Sequence, residues 1–204
     1  TYPAIELVES RESPYEHIDV GMHKELFSIV GNGEIVANIP DRYGAEMRAH
    51  LVMSEHPDPK RILFISDSGF LTLAEMLKYS VEKIDVVQRD RVLAEVAFKY
   101  VPQDVLTLLQ SEKAVIHFTD GRKYIRQVKR GDEYDVVFID LPDPYNAMTN
   151  RYYTVEFYRE VRRVLKDKGM ICVRTSAAVN YIGEELKRYL GAIYWGLKRT
   201  FGNV

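Results

Sequence analysis

The stretch Tyr134–Pro144, YDVVFIDLPDP, constrains the fold most. Val136 to Ile139 is apolar without alternation, and Asp140 closes the run with a carboxylate. Such a run suits a parallel strand covered on both faces, whereas a half-exposed strand would alternate. Ligands in open α/β sheets bind just outside the carboxyl ends of such strands. Asp140 reads as functional, because an acid that extends an apolar strand is costly without a partner. Asp143, between Pro142 and Pro144, is its companion, with a plain turn role as the competing reading. Two carboxylates at that edge suit the holding and deprotonation of a cationic nucleophile.

The neighbouring sequence supplies the rest of such a sheet. From Lys60 onward, strands at Ile62–Ile65, Ile84–Gln88, Val115–Phe118 and Met170–Arg174 alternate with helices at Leu71–Tyr79, Arg91–Tyr100, Lys123–Val128 and Val155–Leu165. The helix at Val155–Leu165 is expected to stop at a Lys166–Gly169 turn, and a long helix to run from Tyr181 to Thr200. This alternation specifies a parallel sheet with helices on both faces. Before it, Tyr43, Met47 and Leu51 mark the apolar stripe of a helix that His56-Pro57-Asp58-Pro59 ends. Residues 1–41 differ: Leu26–Val30 and Glu34–Ala37 flank Gly31-Asn32-Gly33, a hairpin signal. The expectation is a small antiparallel β domain over 1–41 and an α/β domain over 42–204.

Bulk properties exclude several classes. A net charge of -2 gives no electrostatic footprint for nucleic acid. The single Cys172 rules out an internal disulfide framework and reads as core filler. The five histidines show no ligand spacing, so no metal is expected. No apolar run reaches membrane-spanning length. The expected setting is a soluble, cytoplasmic domain.

Carboxylates recur at the strand ends: Asp67 after the first, Asp90 after the second and Asp120 after the third. With Asp140 and Asp143 they collect on one sheet edge, as a site for a nucleoside and an amine needs. Asp90, directly before a helix, reads first as an N-cap, and Asp120 reads equally as cap or ligand. The tyrosines Tyr152, Tyr153 and Tyr158 read as packing.

These residues resemble the polyamine aminopropyltransferases, the spermidine and spermine synthases. The resemblance is carried by His56-Pro57-x-Pro59, Asp120-Gly121, and Tyr134-Asp135-Val136-Val137 running into Asp140-x-x-Asp143-Pro144. Glu156-Phe157-Tyr158, Val164-Leu165-Lys166 with Gly169, and Phe201-Gly202-Asn203-Val204 extend it. It implies a Rossmann-like, methyltransferase-type domain that moves an aminopropyl group from decarboxylated S-adenosylmethionine to a diamine such as putrescine. That co-substrate is consumed in the reaction, and no tightly bound cofactor is implied. Asp140 would be the general base and Asp143 would steer the amine. Asp67, Gly69, Gln88, Asp90, Asp120 and Gly121 would form the nucleoside side, Tyr43 and Glu46 would gate the substrate, and Leu141–Arg151 would be a lid.

The chain also departs from the family pattern. The glycine-rich turn after the first strand is reduced to Ser66-Asp67-Ser68-Gly69, and Gln88 stands where an acid grips the ribose. These changes keep two other readings open: a catalytically silent relative that binds a ligand or partner, and an S-adenosylmethionine-dependent methyltransferase. The family's closing C-terminal strands are not found before Val204, which leaves two expectations: a trimmed chain, or one soluble domain of a longer protein, since the family includes long members with membrane-spanning segments ahead of this domain. The N-terminal hairpins could pair in a homodimer.

Overall fold

The computed structural model describes residues 5–176 and 183–203. Four antiparallel strands come first: β1 (Glu6–Glu12), β2 (His17–His23), β3 (Leu26–Gly31) and β4 (Glu34–Ile39), paired in that order. Asn32 and Gly33, with φ of 49° and 87°, make the two-residue turn between β3 and β4. Positive φ at both central positions matches the twist of a tight hairpin, which is why an Asn-Gly pair serves there.

A second sheet follows. Its strands β5 (Arg61–Ser66), β6 (Lys83–Gln88), β7 (Ala114–Phe118), β8 (Tyr134–Asp140) and β9 (Leu165–Val173) pair in parallel in the order β7-β6-β5-β8-β9. The connecting helices are α1 (Arg42–Ser54), α2 (Phe70–Met76), α3 (Arg91–Lys99), α4 (Gln103–Leu109), α5 (Gly121–Gln127), α6 (Ala147–Asn150), α7 (Val155–Arg162) and α8 (Glu184–Phe201). The chain builds outward from β5 through β6 to β7, then returns to start β8 on the other side of β5. The order therefore reverses between β5 and β8, where a crevice opens at the strand ends.

Both faces of the central strands β5, β6 and β8 are covered, which explains their apolar runs, whereas Val115, Ile116 and Phe118 of the edge strand β7 are exposed. Ile62, Phe64, Val136 and Phe138 pack on one side against Ala49, Val52 and Met53 of α1 and Leu73 and Met76 of α2. Leu63, Ile65, Val137 and Ile139 pack on the other against Ile125, Phe157, Tyr158 and Val161. All seven residues of β8 are buried. The antiparallel sheet turns Ile18, Val20, Ile29 and Ile39 onto Phe70, Leu93 and Val96, which seats it above α2 and α3. Lys99 and Tyr100 at the end of α3 bond the two oxygens of Glu9 in β1.

Three local expectations are corrected. Tyr43, Met47 and Leu51 lie on the exposed side of α1, and its buried face is Ala45, Ala49, Val52 and Met53. Small side chains let α1 approach the sheet closely, so the larger stripe was left outside. The Val155 helix ends at Arg162, and Lys166–Gly169 is an irregular part of β9: the register passes from Tyr134↔Leu165 to Val136↔Met170. The bend is fixed by Asp135, whose carboxylate bonds Lys166 Nζ while also accepting from the amides of Lys60 and Arg61. The last helix starts at Glu184, and Tyr181 lies outside the described residues.

Candidate active site

The parallel register places Ser66 beside Asp140 and Gln88 beside Phe118 at one level of the sheet edge. A cavity of about 170 Å³ opens there between β4, α1, the Ser66–Gly69 turn and the end of β8. Asp67, Gly69 and Asp140 line it, as do Arg48 of α1 and Arg174 just after β9. A second crevice beside it is nearly filled, with about 10 Å³ free among Ile65, Asp67, Val87, Gly121, Met148, Thr149 and Tyr152. Asp67 borders both spaces.

The acids differ in what they already hold. Asp140 is 7% exposed and forms an ion pair through Oδ1 with Arg174 Nε. Asp143 does not line the cavity. Its Oδ1 accepts from the Ser176 amide at 3.1 Å and the Tyr189 hydroxyl at 2.8 Å, tying the loop after β8 to α8. Burial pushes the Asp143 carboxyl up, but those hydrogen bonds and the nearby Arg174 outweigh it and hold the group below its usual range. Asp67 accepts no hydrogen bond and forms no ion pair among the described residues. Burial raises its pKa; Arg89 opposes the shift, and Asp90 and Asp140 add to it.

On the other side of β5, Asp90 caps α3 through the amides of Val92 and Leu93, while its second oxygen is buried without a partner among the described residues. Gln88 is also buried, and its Oε1 has no partner among the described residues. Asp120 caps α5 at Lys123, pairs with Arg151 Nη1 at 3.3 Å and accepts from the Tyr152 hydroxyl at 3.0 Å. That hydroxyl in turn accepts from the Gly121 amide at 3.1 Å. A Cβ on Gly121 would come within 3.0 Å of the Tyr152 ring and 3.2 Å of Ile65, so the bare glycine is what admits the tyrosine. The structure thus gathers Asp67, Gly69 and Asp140 at one cavity and Asp67 and Gly121 at the crevice. Gln88 and Asp90 lie buried at the end of β6. Tyr43 is 76% exposed, Glu46 pairs with His50, and neither lines the cavity.

Several contributors went unread in the sequence. Arg174 follows an apolar strand just as Asp140 ends one, so the same strand-end signal was available. Arg48 gave none beyond its place on a helix; it reaches Thr72 Oγ1 at 3.2 Å and Asp41 at 3.3 Å. Glu16 enters from the β1–β2 connection, which only the tertiary fold brings over the strand ends. Burial first, and the neighbouring Asp67 second, push its carboxyl up to about 7. Arg89 lies with its guanidinium 4.8 Å from the centre of the Tyr15 ring. The Leu141–Arg151 segment holds α6, capped by Asn146, and is pinned by the Tyr153 hydroxyl to the carbonyls of Leu141 and Pro142. Among the described residues, no His, Cys, Asp and Glu cluster could hold a metal, and no helix is long and apolar enough to cross a membrane.

Comparison with known proteins agrees with this architecture. Residues 42–190 match the spermine/spermidine synthase domain. A polyamine aminopropyltransferase of Agathobacter rectalis is 36% identical over 165 residues, covering 79% of this chain and 56% of that protein. One from Pyrobaculum calidifontis is 28% identical over 179 residues, covering 85% and 62%. A crystal structure of spermidine synthase in complex with the transition-state analogue AdoDATO superposes with a TM-score of 0.82 at 28% identity, over 96% of this chain and 65% of that one. Spermidine synthase from Thermotoga maritima gives 0.79 at 26% identity, over 96% and 64%. The chain thus spans between half and two thirds of the length of these relatives. With the domain match covering most of its length and the same two-sheet fold, the chain belongs to the spermine/spermidine synthase family.

Proposed function

We propose that this chain transfers an aminopropyl group from decarboxylated S-adenosylmethionine to a primary amine, a diamine such as putrescine being the simplest acceptor. The observation that carries this reading is the position of Asp67, a carboxylate without a partner among the described residues. It is shared by an acceptor-sized cavity and a crevice at the ends of β5 and β6. In this reading the nucleoside lies along the Gln88, Asp90, Asp120 and Gly121 side, and the amine enters the cavity beside Asp140. The N-terminal β unit over residues 1–41 roofs a catalytic unit that begins at residue 42.

The reaction needs orientation and a neutral amine. The nitrogen lone pair attacks the methylene next to the sulfonium. A C–N bond forms, the C–S bond breaks with its electron pair going to sulfur, and methylthioadenosine leaves as a neutral thioether. Asp140 takes the proton of the arriving ammonium and so frees that lone pair, and the new secondary amine carries the positive charge that the sulfonium gives up, while Asp67 faces that charge. Asp143 positions the loop after β8 through Tyr189 and Ser176 rather than touching substrate. The donor's arrival requires Tyr152 and α6 to move away from Gly121, a loop motion of the kind that admits and encloses substrates.

The filled crevice favours a second reading, a silent relative that binds a ligand or partner through the cavity alone. Incubation with decarboxylated S-adenosylmethionine and primary amines separates the two. Time-dependent release of methylthioadenosine, lost in Asp140→Asn, supports the transferase. No release with any amine, from a protein that still unfolds cooperatively, leaves the silent reading.

A further inference from the structure

The unpartnered polar atoms at the end of β6 bear on how the donor's ribose is held, an inference that deepens the aminopropyl-transfer reading above and rests on it. Gln88 and Asp90 are each 1% exposed, and Gln88 Oε1 and Asp90 Oδ2 meet no hydrogen-bond partner among the described residues. Buried acceptors left unmade are costly, so two of them here call for a ligand that brings O–H or N–H donors. A ribose diol brings two such donors. The set is nevertheless weak on its own. Gln88 carries no charge, and Asp90 already commits Oδ1 to the amides of Val92 and Leu93.

Glu16, in the β1–β2 connection, is placed to supply the missing charge. Ser13 ties that turn: its Oγ accepts from the amides of Tyr15 at 3.1 Å and Glu16 at 2.9 Å, and its own amide donates to the Glu16 carbonyl at 3.0 Å. The Tyr15 ring then lies against the guanidinium of Arg89, the residue between Gln88 and Asp90, which docks the turn on the end of β6. Gly31 makes the room, since a Cβ there would collide with the Glu16 carboxylate. That carboxylate feels Asp67, Arg89 and Asp90 at the ends of β5 and β6. Tyr145, in the loop after β8, feels Glu16 in turn, together with Asp67, Glu34 and Arg89. Among the described residues, the Glu16 carboxylate accepts no hydrogen bond and forms no ion pair.

We propose that Glu16 is the carboxylate that selects a ribose: it accepts from the diol of the bound nucleoside, with Gln88 and Asp90 as its neutral and half-committed companions. It thereby stands in for an acid at the end of β6. Charge-assisted hydrogen bonds of this kind are about twice as strong as neutral ones. Without the diol, burial and Asp67 push the Glu16 carboxyl up to about 7. The diol draws on the ionised form, so nucleoside binding strengthens as pH rises through that value. Burial raises the Asp67 carboxyl as well, so the share due to Glu16 is the difference between wild type and a variant lacking that acid.

Calorimetric titration with methylthioadenosine, and with a counterpart lacking both ribose hydroxyls, tests this at about pH 6 and about pH 8. The proteins are wild type, Glu16→Gln, and the exchanged pair Glu16→Gln with Gln88→Glu. Wild type is expected to bind methylthioadenosine roughly fivefold tighter at the higher pH and to bind the diol-free ligand about tenfold more weakly there. Glu16→Gln is expected to bind methylthioadenosine about tenfold more weakly than wild type at the higher pH, with little discrimination between the ligands. The exchanged pair is expected to recover affinity and discrimination, because the charge returns on the other side of the diol. Equal affinity and equal discrimination in wild type and Glu16→Gln overturn this inference and leave the transfer reading intact. No binding by wild type at either pH, at millimolar ligand, overturns both. If the variants do not fold, wild type decides alone: discrimination that fails to grow from the lower to the higher pH overturns the inference.

Discussion

The Tyr152 hydroxyl donates to Asp120 at 3.0 Å and accepts from the Gly121 amide at 3.1 Å, so one phenol satisfies both polar groups at the end of β7. A nucleoside entering this crevice has to take over those groups and displace the ring. The closed crevice and the hydroxyl that locks it are thus one feature. Tyr152→Phe keeps the packing and removes the lock. It is expected to cost about 1–2 kcal/mol in urea unfolding, because the amide and the carboxylate lose a buried partner. It is also expected to tighten methylthioadenosine binding several-fold; weaker binding by the variant would show that the phenol helps hold the ligand.

Glu16 gives the fold a pH dependence near neutrality. Its folded pKa, about 7, lies above the ordinary value of 4.5. Between those values the unfolded chain has lost the proton and the folded chain retains it, so stability falls as pH rises through this window. Glu16→Gln removes that slope. The variant is expected to match wild type at pH 4 and to exceed it by about 1 kcal/mol at pH 8, allowing for partial exposure of the group. Parallel stability curves for the two proteins across that range would contradict this.

Asp135 acts in the opposite sense at acid pH. Burial pushes its carboxyl up, but Lys166 and the amides of Lys60 and Arg61 outweigh that and hold it below 3.8. Its stabilisation is therefore complete above the unfolded value and disappears as pH falls through the folded one. Asp135→Asn is expected to cost about 2–3 kcal/mol at pH 7 by chemical denaturation, since a charge-assisted set of hydrogen bonds is broken. The difference from wild type should shrink steadily on acidification below about pH 4.

The parallel sheet and its acidic edge were legible because burial on both faces writes an unbroken apolar run into each inner strand, and Asp140 interrupts that pattern. The hairpin at Asn32-Gly33 was legible because positive φ restricts residue choice. Tyr152 was read as packing, which is correct for its ring but silent about its hydroxyl, whose partners lie about thirty residues away in sequence. Glu16 lies in the β1–β2 connection and Arg89 just after β6, and no local pattern announces that both act on or are acted on by the charge of Asp67. The exposed side of α1 misled for a physical reason: helix periodicity identifies a stripe, but close packing of Ala45 and Ala49 decided which stripe was buried.

The crevice between Asp67 and Tyr152 must open to receive a nucleoside if the chain is a transferase. Calorimetric titration of the chain with methylthioadenosine tests this most directly, with Asp120→Ala and Tyr152→Phe alongside. Wild type is expected to bind at micromolar ligand, Tyr152→Phe more tightly and Asp120→Ala markedly more weakly. No heat from any of the three at millimolar ligand, with all three folded, would contradict an opening crevice.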